Sequence, residues 1–242
     1  MLTLDLNCDL GEGAGRDADL MPLVTSANIA CGGHAGDEIS MRATVTLAQR
    51  HGVAVGAHPS FNDRANFGRK EWQLSPAVIY QLVIEQVTTL ARHAPVRHVK
   101  PHGALYTLAA RDPDVAGAIA SAVAKLGGLT LYALAGSELV RAGRRQGVRV
   151  AEEVFADRTY QRDGSLTPRS QPGALIDDSS AAVAQVLRMV REGTVVAVDG
   201  TVVPIVADTV CVHGDGPHAV EFARRLRAEL TTAGVSVRAL GR

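Results

Sequence analysis

Four histidines stand in turns that follow short apolar runs: His34, His58, His102 and His213. Each has glycine or proline beside it. In a parallel α/β protein the turns after strands gather at one end of the sheet, so imidazoles placed there converge on a common mouth. They can move protons or ligate a metal. A single histidine beside a glycine is usually a structural hydrogen-bonder; four in equivalent turns point to a site. The other four, His51, His93, His98 and His218, fall in helix-like or flanking segments and read as surface or core residues.

The densest of these turns is Val99-Lys100-Pro101-His102-Gly103-Ala104-Leu105-Tyr106, which combines a cation, an imidazole and a phenol. Lys100 ends a strand, where a solvated lysine is common. In a water-poor mouth it can polarise a carbonyl, hold a phosphate or form a Schiff base. Pro101 restricts its backbone to the extended region, so its side chain is expected at the mouth. Loss of its charge is expected to slow a reaction and spare the fold. Asp9, Glu12, Glu153, Asp157 and Asp215 form the pool of general acids and bases. Their bland uses are helix capping, expected for Asp37 and Asp215, or pairing with Arg69, Arg158 or Arg169. Asp9 and Glu153 precede any helix they would cap, and Asn7 shares a glycine-rich turn with Asp9 and Glu12.

A metal held by these histidines with Asp9 is one use of the set. The chain has no HExxH and no Cys-x-x-Cys, and such ligands would be scattered over loops. No Walker loop or GxGxxG is present, which leaves no nucleotide site of those types in this chain. Cys31 beside His34 reads as a small buried filler, with a nucleophile as the alternative.

These groups must be positioned by strands and helices. Apolar runs at 2–6, 25–30, 53–57, 96–99, 129–134, 148–151 and 209–212 read as strands. Helices are expected between them: Asp37 caps one that Gly52 closes, with Ile39, Ala43 and Leu47 sharing one apolar face. Ser75-Pro76 opens another, with a stripe of Val78, Ile79, Leu82, Val83, Val87 and Leu90. Asp112-Pro113 opens a third, a helix over 178–192 ends at Gly193, and Gly216-Pro217 opens the last. Asp199-Gly200 between two β-rich runs signals a hairpin. A long irregular loop up to residue 176 holds Arg162, Asp163 and Arg169 and has the length of a lid or binding loop. About seven βα units with polar residues after nearly every strand favour a closed, irregular β/α barrel with a hairpin insertion over an open sheet.

With 242 residues, 46% hydrophobic and 21% charged, the chain is expected to fold as one barrel domain over residues 1–242. Lys and Arg number 25 against 25 acids and aromatic content is 4%, so nucleic acid is not an expected partner. No membrane span or signal peptide is legible, and three sparse cysteines suit a reducing cytoplasm.

The motifs as they stand resemble the LamB/YcsF family of lactam utilisation. They are Leu6-Asn7-Cys8-Asp9-Leu10-Gly11-Glu12-Gly13, Asn28-Ile29-Ala30-Cys31-Gly32-Gly33-His34-Ala35-Gly36-Asp37, Gly56-Ala57-His58-Pro59, the Lys100 stretch, Glu153-Val154-Phe155-Ala156-Asp157-Arg158 and Cys211-Val212-His213-Gly214-Asp215. The resemblance runs in order over nearly the whole chain. It implies an irregular seven-stranded TIM-like barrel of the glycoside hydrolase and deacetylase type. It also implies ATP-dependent opening of 5-oxoproline to L-glutamate, with ATP and Mg2+ consumed by a complex with two partner subunits, B and C.

On that reading the catalytic candidates are Asp9, His58, Lys100, His102 and Glu153. The substrate-binding candidates are Asn7, Glu12, Asn28, His34, Tyr106, Asp157, Arg158, Arg169, His213 and Asp215. A lactam is a poor electrophile; phosphorylating its oxygen makes a reactive imidate that water can attack with a carboxylate or imidazole as base. Two other readings remain: a metal-dependent deacetylase or amidase of the same barrel class acting alone, and a non-catalytic ligand-binding subunit.

Overall fold

The computed structural model describes residues 2–213 and 218–240, so Asp215 and the Gly216-Pro217 helix start lie outside the described residues. In chain order the strands are β1 (Thr3–Leu10), β2 (Ser26–Ala30), β3 (Ala54–His58), β4 (His98–Val99), β5 (Thr130–Leu134), β6 (Arg149–Phe155), β7 (Thr194–Val196), β8 (Val202–Pro204), β9 (Thr209–Val212) and β10 (Ser236–Val237). Seven of them, β1 to β6 and β9, are parallel and close into a barrel through pairing of β1 with both β2 and β9. β7 and β8 form the expected antiparallel hairpin around Asp199-Gly200. β10 adds a short parallel pairing to Thr3 and Leu4 that the sequence pattern does not signal.

The helices are α1 (Asp17–Leu20), α2 (Glu38–His51), α3 (Pro76–Ala91), α4 (Gly103–Ala109), α5 (Pro113–Leu126), α6 (Glu138–Arg145), α7 (Ser179–Glu192) and α8 (Ala219–Thr232). The start signals work as chemistry. Asp37, Ser75, Asp112 and Asp178 each accept a backbone N–H of the first turn, and Pro76 and Pro113 take the first helical position. Ile79, Leu82, Val83, Val87 and Leu90 of α3 are buried as expected, each worth about 1.5–3 kcal/mol of apolar burial. Val78, expected in that stripe, is exposed.

Two expectations fail instructively. Ile39 of α2 is 80% exposed, Ala43 is exposed and Leu47 only half-buried; the helix buries Met41, Thr44, Val45 and Ala48 instead. The inner seam carries a threonine because its hydroxyl donates to Asp17 Oδ2 at 3.2 Å, and hydrophobic periodicity does not register a polar residue with a buried partner. Strands β1 and β6 also run four residues further than the apolar runs, to Leu10 and Phe155. Asn7, Asp9 and Glu153 are therefore strand residues, not turn residues. Side chains alternate along a strand: Leu4, Leu6, Cys8 and Leu10 pack in the apolar core, while Asp5, Asn7 and Asp9 bond to other strands across the barrel. The barrel interior is polar, so its strands carry the composition of turns.

Candidate active site

The interior is stacked in layers, and Asp5 lies at its lower end. Its carboxylate accepts from Thr25 Oγ1 at 2.7 Å, Ser26 Oγ at 2.7 Å, Tyr132 OH at 3.0 Å and Thr209 Oγ1 at 2.6 Å. One layer up, Asn7 Nδ2 donates to Thr209 Oγ1 at 2.7 Å and Glu153 Oε1 at 3.0 Å, and its Oδ1 accepts from Asn28 at 2.7 Å. His98 joins this layer through Nε2, 2.8 Å from Asn28 Oδ1, and stacks on Tyr132. Gly56 makes room for that ring: a Cβ there would lie 2.0 Å from His98 Nε2.

Above this layer, Lys100 is 3% exposed and sits between two carboxylates, with Nζ 2.9 Å from Asp9 Oδ1 and 2.9 Å from Glu153 Oε1. Nζ also donates to Asn7 Oδ1 at 3.3 Å and to Cys211 Sγ at 3.1 Å. Glu153 takes a further 2.6 Å bond from Tyr106 OH, and Asp9 Oδ1 takes one from Asn28 at 2.8 Å. Burial opposes a charge on Lys100, but Asp9 and Glu153 outweigh it and hold the ammonium well above its ordinary range. An amine held charged is not the free nucleophile of a Schiff base. Lys100 thus lies just below the mouth as an ion-pair centre rather than as a solvated strand-end lysine.

At the top of the barrel the strand ends bring together Asp9, Glu12, His34, His58 and His102. His58 Nε2 lies 3.3 Å from Asp9 Oδ2 and 3.0 Å from His102 Nδ1. Glu12 Oε1 lies 2.8 Å from His34 Nε2, 3.4 Å from His102 Nδ1 and 3.8 Å from His58 Nε2. His34 stacks flat on His102 with centroids 3.6 Å apart. Burial holds His34 and His102 down to about 3, so both rings are neutral near pH 7. Burial alone would lower His58 as well; the Asp9 carboxylate overcomes it and raises His58. Asp9, despite its own burial, is held well below the carboxylate range by His58 and Lys100, whereas burial and the Asp9 charge push Glu12 up.

A second group lies on the opposite wall. Asp157 sits 2.8 Å from His213 Nδ1, and Arg169 donates to His213 Nε2 at 3.0 Å. Arg158 spends its guanidinium on the carbonyls of Ala174 (3.3 Å) and Thr167 (2.6 Å), where it clamps the long loop.

The two groups face a cavity of about 990 Å³ whose lining includes Asp9, Glu12, His58, Lys100, His102 and His213. Tyr106, Arg158 and Arg169 also reach it; Asn7, Asn28, His34, Asp157 and Glu153 stand behind the lining. Sequence reasoning missed Arg111 and Arg141, which line the rim from the end of α4 and from α6, and Cys211 and Phe155, whose side chains flank Lys100. Alternation along β9 offered a signal for Cys211, two residues before His213; nothing local marked the arginines. Cys31 is buried, its thiol pushed up to about 12 by burial, in keeping with a filler.

A protein from Bacillus subtilis, named as the A component of 5-oxoprolinase, is 53% identical over 99% of this chain and 98% of its own length. One of the same name from Tolumonas auensis is 53% identical over 99% of this chain and 100% of its own. The crystal structure of a lactam utilization protein from Thermus thermophilus superposes with a TM-score of 0.92 at 48% identity, covering 99% of this chain and 100% of that one. A family 4 carbohydrate esterase from Streptomyces lividans, at 13% identity, shares the barrel alone, with a TM-score of 0.50 over 99% and 93% of the two chains. A profile of the LamB/YcsF family matches residues 4–242, and with relatives more than half identical from end to end, this chain belongs to the LamB/YcsF family.

Proposed function

We propose that this chain is the A component of an ATP-dependent 5-oxoprolinase, a hydrolase that opens the lactam of 5-oxoproline to L-glutamate together with B and C subunits. The relatives' shared name supports the reaction, and one observation supports the location: the half-buried Asp9 joins a charged Lys100 to His58 at the floor of a cavity large enough for a small amino-acid-derived lactam. ATP, with its Mg2+, is a co-substrate of the assembled complex. Its chemistry is to phosphorylate the amide oxygen, which makes the ring carbon electrophilic enough for water to add. The C–N bond then breaks, the nitrogen takes up a proton and leaves as the amine, and the phosphoryl group is released as phosphate by hydrolysis. The arginines at the rim, Arg111, Arg141 and Arg169, suit the carboxylate and phosphoryl oxygens of such a substrate, because a guanidinium offers paired donors to both.

Within the cavity each residue has a physical task. Asp9 and His58 form the proton-handling pair. Asp9 Oδ2 faces His58 Nε2, while His58 Nδ1 is tied to the Lys100 carbonyl at 2.7 Å, which fixes the ring for one job. Lys100 presents positive charge where oxygen charge develops as water attacks. Glu153 does not reach the cavity and acts by holding Lys100 and Tyr106 in place. His102 Nδ1 lies 3.0 Å from His58 Nε2 and accepts from it when His58 is protonated.

The test is glutamate release from 5-oxoproline and ATP by the chain reconstituted with its B and C partners, compared with Asp9→Asn. Turnover by wild type and its loss in the variant support the reading. Wild-type turnover unchanged in the variant would leave a non-catalytic, ligand-binding role in its place.

A further inference from the structure

The hydrogen-bond partners of the three clustered histidines fix which nitrogen of each ring carries the proton. His58 Nδ1 lies 2.7 Å from the carbonyl of Lys100, and His102 Nε2 lies 2.9 Å from the carbonyl of Phe67. A carbonyl only accepts, so both nitrogens are N–H donors. Ser60 Oγ gives its one proton to the Phe61 carbonyl at 2.9 Å and therefore accepts from His34 Nδ1 at 3.0 Å. The remaining nitrogens are the ones that can bind a cation: His34 Nε2 and His102 Nδ1 as lone pairs of neutral rings, and His58 Nε2 once it gives up the proton it shares with Asp9, which metal binding would displace.

All three nitrogens face one another and Glu12 Oε1, with Asp9 Oδ2 3.3 Å from His58 Nε2. The three nitrogens and Glu12 Oε1 lie within 4.8 Å of each other, with contacts of 2.8, 3.0, 3.4 and 3.8 Å. Deprotonated, these four acceptors crowd one space, an arrangement that a cation or shared protons must hold together. Ligand atoms about 2.1 Å from a tetrahedral ion stand about 3.4 Å apart, which is the scale of these spacings. The surroundings have the character of a second coordination shell, in which each histidine donates its other N–H to a fixed acceptor. The backbone contributes too. Gly68, at φ +64°, closes over the rings, and a Cβ on it would lie 2.9 Å from His34 Cβ and 3.1 Å from His102 Cδ2.

We infer that Glu12, His34, His58 and His102 bind a divalent first-row transition ion of the zinc type at the cavity floor. Three imidazoles with one carboxylate select such an ion over Mg2+ or Ca2+, which take all-oxygen sets. Thiolates play no part: Cys31 Sγ donates to the Ile29 carbonyl and Cys211 accepts from Lys100. Glu12, His58 and His102 line the cavity, so the ion is reachable from it and His34 closes the far side. Binding needs neither substrate, ATP nor partners, so it is tested apart from the lactam reading, but it shares His58 and His102 with that reading: a bound ion would take the nitrogens that otherwise handle the proton.

The experiment uses the full-length, tag-free chain, stripped with chelator and titrated with Co2+ and Zn2+. The readouts are metal content, the visible spectrum of bound Co2+ and the melting temperature. The expected result is one ion per chain, a tetrahedral or five-coordinate Co2+ spectrum with nitrogen ligands, and a rise in melting temperature on loading. Glu12→Gln and His102→Gln should each weaken binding by at least about 100-fold, and Ser60→Ala, which frees the His34 ring, by about 10-fold. Glu12→Gln keeps the shape of a half-buried side chain, so it reports even if the histidine variants fold poorly. His51→Ala, on the exposed end of α2, should change nothing. Absence of binding at micromolar metal, or binding that survives both Glu12→Gln and His102→Gln in folded protein, overturns the site; glutamate release can succeed or fail without altering either outcome.

Discussion

Asp5 and Asp9 lie on the same strand and face the same barrel interior, yet they are held in opposite states. Asp5 is surrounded by four hydroxyls and no cation; burial prevails and its carboxyl is raised above the ordinary value of 3.8. Asp9 is flanked by Lys100 and His58, and despite burial it is held well below that value. The lower layer is a closed plug of neutral donors and acceptors. The upper layer is ionic and opens on the cavity. No buried side-chain nitrogen or oxygen among the described residues lacks a partner in either layer, so both are fully satisfied networks of the kind that specify a single core. The difference teaches that position along the barrel axis, rather than residue type, decides whether a carboxylate here is structural or chemically active.

The strongest way to break this contrast is to remove the cation. Lys100→Met leaves the buried Glu153 without its cation and Asp9 with His58 alone, and unfolding free energy near pH 7 should fall by about 3–5 kcal/mol. Denaturant titration measures it, and an unchanged midpoint with an unchanged slope would show that the upper layer does not depend on its ion pairs. Turnover of the reconstituted complex should be lost with it.

Asp9→Asn keeps the shape and removes one proton-handling oxygen, so turnover should drop on the order of 10²–10⁴-fold with the fold intact. Its stability effect has a definite sign. Because the folded-state value of Asp9 is depressed, its contribution is present above the unfolded value and fades as pH falls through the folded one. The gap between wild type and Asp9→Asn should therefore narrow on acidification; a gap that widens contradicts the ionised Asp9.

Gly56→Ala tests the middle layer. The added methyl meets His98, and overpacking should lower stability by about 1–3 kcal/mol. A melting temperature equal to wild type would mean that His98 is free to move and that the layers are not rigidly stacked.

The smallest effect belongs to Asp5→Asn. Its raised value means that below about 3.8 both states are protonated and Asp5 is neutral for stability. As pH rises the unfolded chain ionises first, so Asp5 subtracts stability until its folded value is passed, after which the loss is constant. The variant should gain on wild type as pH rises through that window, the reverse of the Asp9 trend, and differ by about 1 kcal/mol or less at the acid end. Parallel slopes for the two variants would erase the distinction between the layers.

What was legible in the sequence was local. Helix starts at Asp37, Ser75, Asp112 and Asp178 could be read because a cap and the N–H groups it satisfies are neighbours in the chain. The Asp199-Gly200 hairpin, the seven-strand barrel and the polar turns came from the same short-range grammar. The inward set Asp5, Asn7 and Asp9 was also present as strict alternation in Leu4 to Leu10, but polar residues pointing into a barrel mimic a turn. Tertiary structure alone decided which partners meet. Lys100 finds Asp9 across 91 positions of chain and Asn7 finds Thr209 across 202, distances over which no periodicity extends. The same holds for the acceptors that set the tautomers of His34, His58 and His102, which come from Ser60, Lys100 and Phe67. The sequence determined that four imidazoles would stand at or just after strand ends. Barrel closure determined that His34, His58 and His102 join Glu12 at one point while His213 pairs with Asp157 on the far wall, because a side chain's charge and proton are set by what surrounds it, and only folding brings those surroundings together.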